Sequence, residues 1–371
     1  MPDGDITIFI SDWYTKSHKI SLVEKRGLRK DVEIGVGLGV PDGILINGFG
    51  PYRYYQALVK DGIVYQIINV EPGKTYCFRV HNVGISTSLD FRIQGHNLLP
   101  VETEGSNTVQ QNYSNMDIHV GQLFSFLVTM DQNASSAYYI VASPRFVNSS
   151  DSAKFNGVSI LHYSNSQGPA SGPLPDPPND YDTYFSMNQA RLIRWKVSAG
   201  AAHPNPQGSF KYGEITVTDV YVILNRPAEH IDGKRHTTLN GISYLPLSTP
   251  FKLAQQFKIP GMVFHALLPC LSWSLDSNLV SLDNAGIWNL RAQDLDSWYL
   301  GQEAYVSVVN PEVNQSEAPL PENSIYCGIL SSLQKDQAQI VNFSGGTSIS
   351  NSSKTIFFML IIVALIGHSF R

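Results

Sequence analysis

Along this chain apolar and polar residues alternate with a period of two over short stretches, and almost nowhere with the period of a helix. The stretches are Asp5–Trp13 (DITIFISDW), Tyr65–Val70 (YQIINV), Thr75–Val83 (TYCFRVHNV), Leu89–Gln94 (LDFRIQ), Leu123–Met130 (LFSFLVTM), Ala137–Ser143 (AYYIVAS), Val158–Tyr163 (VSILHY) and Ile215–Leu224 (ITVTDVYVIL). Each is rich in β-branched or aromatic residues and is bounded by Gly, Pro, Asn or Asp, the pattern of strands separated by turns. No stretch sustains a 3.6-residue period for long. Many short strands with turn signals between them predict an all-β protein built of β-sandwiches.

Breaks in the pattern divide the chain. Ser164–Asp182 (SNSQGPASGPLPDPPNDYD) is rich in Pro and Gly and nearly free of apolar residues, so residues 164–182 read as a linker. Residues 36–163 then form one complete sandwich, and residues 183–335 a second, short one. Residues 1–35 read as the closing strands of a preceding sandwich. The glycine-rich run Ile34–Val40 (IGVGLGV) lacks the third glycine of GxGxxG and no amphipathic helix follows it, so it reads as a surface loop.

Composition narrows the function classes. The 371 residues suffice for more than one core, and 43% hydrophobic with 15% charged residues suits a folded protein. A net charge of −5 and the lack of basic clusters argue against nucleic acid as a partner. Cys77, Cys270 and Cys327 stand far apart without a CxxC pair, so no structural zinc is signalled. An odd count in a secreted chain leaves at least one thiol unpaired.

Six Asn-x-Ser/Thr sequons, at Asn112, Asn133, Asn148, Asn314, Asn342 and Asn351, point to a secretory glycoprotein. Small residues from Ser344 to Gly346, a polar spacer and the apolar run Ile356–Gly367 follow. As a helix that run reaches about 18 Å, short of the roughly 30 Å hydrocarbon core. The combination is that of a GPI-anchor signal over residues 336–371, with Ser344 as the candidate attachment site; the alternative is a buried C-terminal strand. The first twenty residues show no charged n-region or long apolar h-region. An anchor signal needs an entry signal, so the expectation is that translation starts upstream of Met1 or that this product is a fragment.

Local chemistry is sparse. The ten histidines are scattered and none lie at i, i+2 or i, i+4 spacing, so no local pair grips copper or zinc. No GxSxG elbow is present. Glu102 and Glu104 alternate along a strand and would share a face, as a glycosidase-like pair or as a solvated edge.

The order of segments carries a resemblance. DITIFISDWYTKSH, PDGILINGFGP, PGKTYCFRVHNVG, LDFRIQGHNLLPVETEG, YSNMDIHVGQLFSFLVTMDQ, NGVSILHYSNSQGPASGPLPDPP, LNGISYLPLSTPFKLAQQFKIPG, SLDNAGIWNLRAQDLDSWYLGQE and ENSIYCG together resemble the plant multicopper-oxidase-like proteins. The branch is that of the GPI-anchored skewed-growth and monocopper oxidase-like proteins, related to ascorbate oxidase and laccase. The resemblance implies tandem cupredoxin-like Greek-key sandwiches, with most of the first domain absent and the third shortened after Gly261. It also implies that Cys327 answers a cysteine paired with a partner in the first domain.

Active copper oxidases carry DNPGxWxxHCHxxxHxxxxM near the C-terminus. By the resemblance Asp283, Asn284, Gly286 and Trp288 keep that scaffold, while Arg291 and Gln293 stand at the two trinuclear-cluster histidines. Ala292 stands at the copper cysteine, Ser297 at the blue-copper histidine and Gln302 at the axial methionine. No catalytic residue and no cofactor are expected; copper enters only through the family. The expected role is a surface glycoprotein of the plant plasma membrane and cell wall, acting with wall or apoplastic components in directional cell expansion. The alternative is a copper-dependent oxidoreductase with a non-standard site.

Overall fold

The computed structural model describes residues 1–19, 27–50, 65–104, 106–108, 111–147, 156–179, 181–196, 219–231, 233–246, 248–259, 277–281, 286–308, 320, 324–331 and 358–364. The chain forms two compact units, one of Met1–Ile215 with Gln293–Asp296, the other of Thr216–Ala292 with Ser297–Arg371.

The first unit is a sandwich of two sheets. One holds β1 (Gly4–Trp13), β2 (Gly43–Ile46), β4 (Thr75–Asn82), β6 (Leu99–Thr103), β7 (Ser106–Asn107) and β9 (Leu123–Thr129), in the order β2-β1-β4-β9-β6-β7. The other holds β3 (Ile67–Val70), β5 (Leu89–Ile93), β8 (Met116–Ile118), β10 (Ala137–Pro144) and β11 (Gly157–Tyr163), in the order β3-β11-β10-β5-β8. The period-two pattern explains the layering: Ile8 and Ile10 of β1, Phe78 and Val80 of β4, and Phe124, Phe126 and Val128 of β9 point inward. They meet Leu89, Phe91 and Ile93 of β5 and Leu161 and Tyr163 of β11 in one core.

Residues 1–35 differ from their expected role as a remnant of a preceding sandwich. Strand β1 pairs in parallel with β4, Gly4 opposite Tyr76 through Ile10 opposite Asn82, and antiparallel with β2. Its buried isoleucines belong to the same core. Asp12 fixes this placement, since its carboxylate accepts from the backbone N–H groups of Ile85, Ser86 and Thr87 at 2.8, 3.0 and 2.8 Å. A short helix, α1 (Leu28–Glu33), also lies here, and Gly35, Gly37 and Gly39 then turn with positive φ, so Ile34–Val40 is the loop expected.

The proline-rich segment is strapped to the outer face of the second sheet. Tyr139 Oη donates to Ala170 O at 2.9 Å, and Gln94 Nε2 reaches Ser171 O and Pro173 O at 3.3 Å. Arg92 Nε donates to Pro175 O at 2.8 Å, while Arg145 donates to the carbonyls of Pro178, Asn179 and Asp182. Asp182 Oδ1 then accepts from Phe185 N at 2.8 Å and caps helix α2 (Thr183–Lys196), which the apolar pattern did not announce. Of its inward positions Ser186, Gln189 and Ile193 only the last is apolar, which leaves no hydrophobic period to read. Gln189 accepts from Asp117 N and donates to Asn115 O.

The second unit contains a four-stranded sheet in the order β13-β12-β17-β14, from β12 (Asp219–Ile231), β13 (Lys234–Leu239), β14 (Ser277–Ser281) and β17 (Phe358–Ala364). A hairpin of β15 (Gly286–Arg291) and β16 (Glu303–Val308), helix α3 (Phe251–Gln256), the part of α4 (Leu295–Tyr299) from Ser297 on, and a 3-10 turn at Gly328–Leu330 also belong to its described part. The apolar tail thus includes a strand: β17 runs parallel to β12 and antiparallel to β14. Among the described residues no helix is long and apolar enough to cross a membrane.

Candidate metal centre

Strand β15 ends at Arg291 and β16 begins at Glu303, and these two residues pair across the hairpin. Between them the chain closes on itself through its backbone. Ala292 N donates to Gln302 O at 3.0 Å, and Gln302 N donates to Ser297 O at 3.0 Å. Three of the five sequence-inferred ligand positions are therefore joined by two main-chain hydrogen bonds. Strand β13 supports the loop, because Thr237 Oγ1 donates to Ser297 O at 2.7 Å and Thr237 N to Leu300 O at 3.0 Å.

The side chains at these positions have other uses. Gln302 is 4% exposed and its Nε2 donates to Asn225 Oδ1 on β12. Arg291 lays its guanidinium over the Trp298 ring, 3.9 Å from the centroid, a cation–π contact. Ala292 offers no donor atom, and Gln293 is exposed. Asp283 and Asn284 fall outside the described residues, while Gly286 opens β15 and Trp288 is half exposed on it.

Beside them stands a carboxylate that the sequence did not single out. Glu303 accepts three hydrogen bonds at 2.7 Å, from Asn289 Nδ2 and Tyr305 Oη on Oε1 and from Trp298 Nε1 on Oε2. Burial, and then the Glu303 carboxylate, hold the Tyr305 phenol well above its ordinary pKa. The Tyr305 ring also stacks with Phe251, centroids 5.3 Å apart. The signal that could have found Glu303 is its place directly after the axial-ligand position.

A blue copper needs a thiolate and two imidazoles in trigonal array. Alanine, serine, an amide already engaged with Asn225 and a permanently charged guanidinium do not make that set. The residues present do not fit the copper that the fold family implies. Among the described residues no three His, Cys, Asp or Glu side chains gather as metal ligands.

The other sequence candidates separate. Glu102 is engaged by Arg79 Nη1 at 3.2 Å and Ser125 Oγ at 2.8 Å, whereas Glu104 lies past the end of β6 at a φ of 48°. The bulge between Pro100 and Glu102 and this turn break the alternation that would have put both acids on one face. Cys77 is a buried free thiol and Cys327 is half-buried and free. Asn112 and Asn133 are exposed. Cys270, Asn148, Asn314, Asn342, Asn351 and Ser344 lie outside the described residues.

Two face-to-face sheets and a hairpin whose loop gathers the ligand positions define a cupredoxin-like multicopper oxidase fold. The multicopper oxidase family model matches residues 4–166, beginning at β1. The chain is 48% identical to monocopper oxidase-like protein SKU5 of Arabidopsis thaliana, over 98% of this chain and 73% of that protein. It is 43% identical to SKS2 of the same plant and 33% identical to an L-ascorbate oxidase homolog of Brassica napus, covering 73% and 70% of them. The alignment to SKU5 spans 439 residues, more than the 371 of this chain, so SKU5 carries internal residues without counterpart here. A laccase of Botrytis aclada superposes with a TM-score of 0.55 at 16% identity, over 82% of this chain and 64% of that one. The chain belongs to the plant monocopper oxidase-like branch of the multicopper oxidase family.

Proposed function

We propose that this protein acts at the plant cell surface as a multicopper-oxidase-like glycoprotein that performs no blue-copper oxidation. One observation carries the reading: the ligand loop keeps its backbone closure while Ala292, Ser297 and Gln302 replace the ligands and Arg291 sits on Trp298. Without a thiolate the site has no soft donor to set a copper potential, and a fixed positive charge repels a cation. The cupredoxin sandwiches then serve as interaction modules, since a fold does not dictate its ancestral chemistry.

Exposed sequons at Asn112 and Asn133 support glycosylation. At Asn133 the side-chain Oδ1 accepts from Ser135 N and Ser135 Oγ, so the acceptor amide and the sequon hydroxyl lie together. Small residues, polar spacer and short apolar run support a GPI anchor at Ser344 and a place on the outer plasma membrane. Wall or apoplastic components are then the partners and directional cell expansion the process, as the family resemblance suggests.

The test is copper content and oxygen uptake of purified protein with phenols or ascorbate. Stoichiometric copper with a blue band, or oxygen uptake, overturns the reading in favour of an oxidoreductase with a non-standard copper site. Phosphatidylinositol-specific phospholipase C should release the protein from plant membranes; retention in the pellet sinks the anchor.

A further inference from the structure

Four charged side chains lie under the proline-rich strap, and all are buried. Arg92 Nη1 binds Asp90 Oδ1 at 2.7 Å, with the two side chains 3% and 0% exposed. Arg145 Nε lies 3.1 Å from both oxygens of Asp117, with hydrogen-bond geometry to Oδ2, at 0% and 2% exposure. Asp90 on β5 and Asp117 on β8 are direct partners across the antiparallel ladder. Side chains of such partners stand on the same face of the sheet. Each carboxylate keeps one buried oxygen without a hydrogen bond, Asp90 Oδ2 and Asp117 Oδ1.

Buried acceptors without a hydrogen bond on two directly paired residues are costly, and a proton on one carboxyl adds a donor to the pair. We propose that Asp90 is a proton switch for the strap: a proton on its carboxyl bridges to Asp117 and locks residues 170–182 against the sheet, and its loss loosens them.

The coupling runs through the arginines. Arg92 joins Asp90 to Pro175 O and to Ser143 Oγ, which itself donates to Asn156. Arg145 joins Asp117 to the carbonyls of Pro178, Asn179 and Asp182, and its guanidinium lies 5.1 and 6.0 Å from the rings of Phe146 and Phe185. The groups facing Asp90 are thus Arg92 from its own strand, Asp117 from β8, Ser143 and Arg145 from β10 and its end. Asp176 of the strap acts on Arg92. Burial raises the Asp90 carboxyl to about 7, with Arg92 opposing and Asp117 adding to the rise. With Asp90 neutral the aspartic pair holds one negative charge beside Arg92 and Arg145; ionised, it holds two facing charges, each against one arginine.

The test is hydrogen exchange on the full-length protein, corrected for the intrinsic pH dependence of exchange and read on peptides covering β5 and residues 166–182. Between about pH 5.5 and about pH 8.5 the opening equilibrium should rise roughly thirtyfold, if the open state titrates like a free carboxyl. D90N, which keeps a neutral donor there, should hold the low value at both pH values. D117N removes the facing charge and should move the transition to higher proton concentration, which keeps the test available if D90N fails to fold. A protonated-carboxyl infrared band should be present at the acid end, lost at the alkaline end and missing in D90N. Equal exchange at both pH values in the natural protein overturns the proposal, as does an unchanged transition in D90N.

Discussion

The backbone N–H of Ala292 donates to the carbonyl of Gln302 at 3.0 Å, so the positions that answer a copper thiolate and its axial ligand face each other across a closed loop. Closure here is a property of main-chain bonds and of Glu303. Added copper and a strong chelator should therefore leave the thermal unfolding of the second unit unmoved. A ligand that binds only the native state must raise its stability, so scanning calorimetry reads the answer directly.

Replacing Glu303 by Ala should open the loop that metal leaves alone. The substitution leaves the half-buried Trp298 and Tyr305 donors without their acceptor and should cost about 2 kcal/mol, measured by denaturant unfolding. In E303Q the Tyr305 phenol loses its neighbouring negative charge, so its pKa falls toward the ordinary value while the share due to burial stays. Ultraviolet titration of tyrosinate follows this shift.

Asp12 should be the most sensitive position of β1. D12A leaves the N–H groups of Ile85, Ser86 and Thr87 without their acceptor in a nearly buried site and should cost about 3 kcal/mol in urea unfolding. Asn at the same place keeps one acceptor oxygen and loses the other with the charge, so D12N should fall between.

Two buried groups set opposite limbs of a stability–pH profile. His96 sits between Gln94 O and Tyr163 Oη, at 2.7 and 2.6 Å, and burial holds its pKa below the ordinary 6.5. The folded state then binds fewer protons than the unfolded one, and stability is lost as pH falls through about 6.5. Asp90 does the reverse: its folded pKa is raised to about 7, so stability is lost as pH rises from about 4 to about 7. Urea unfolding across this range should show a flattened profile, with the acid-favouring contribution lost in D90N and the acid loss reduced in H96Q.

Glycan occupancy can be checked site by site. N112Q and N133Q should each remove one step of enzymatic deglycosylation seen by gel mobility in protein made in a secretory host, because both asparagines are exposed.

The strands of the first unit were legible because its core uses alternate apolar residues from Ile8 to Tyr163, a pattern that survives in one dimension. The placement of β1 was not, because Asp5–Trp13 looks the same whichever sheet receives it; the Asp12 contacts with residues 85–87 decide it and span more than seventy positions. Helix α2 was hidden because Ile193 is the single apolar residue beside buried Ser186 and Gln189. At the ligand loop the residue types at the copper positions could be read from identity alone, whereas Glu303 acquires its role only when the hairpin brings Asn289 of β15 beside it. The strap read as a linker from its prolines, yet its anchoring depends on Arg92 and Arg145, which look like ordinary strand charges in sequence.

The strand order of the second unit has a consequence for biosynthesis. Strand β17, residues 358–364, is an interior strand between β12 and β14. Every residue of the first unit's apolar core lies before residue 194. On the ribosome the first core can therefore assemble early, while β12 and β14 wait with open edges for the strand that joins them. Cleavage of an anchor signal at Ser344 would take β17 away with the tail, so lipid attachment and completion of this sheet by β17 exclude each other.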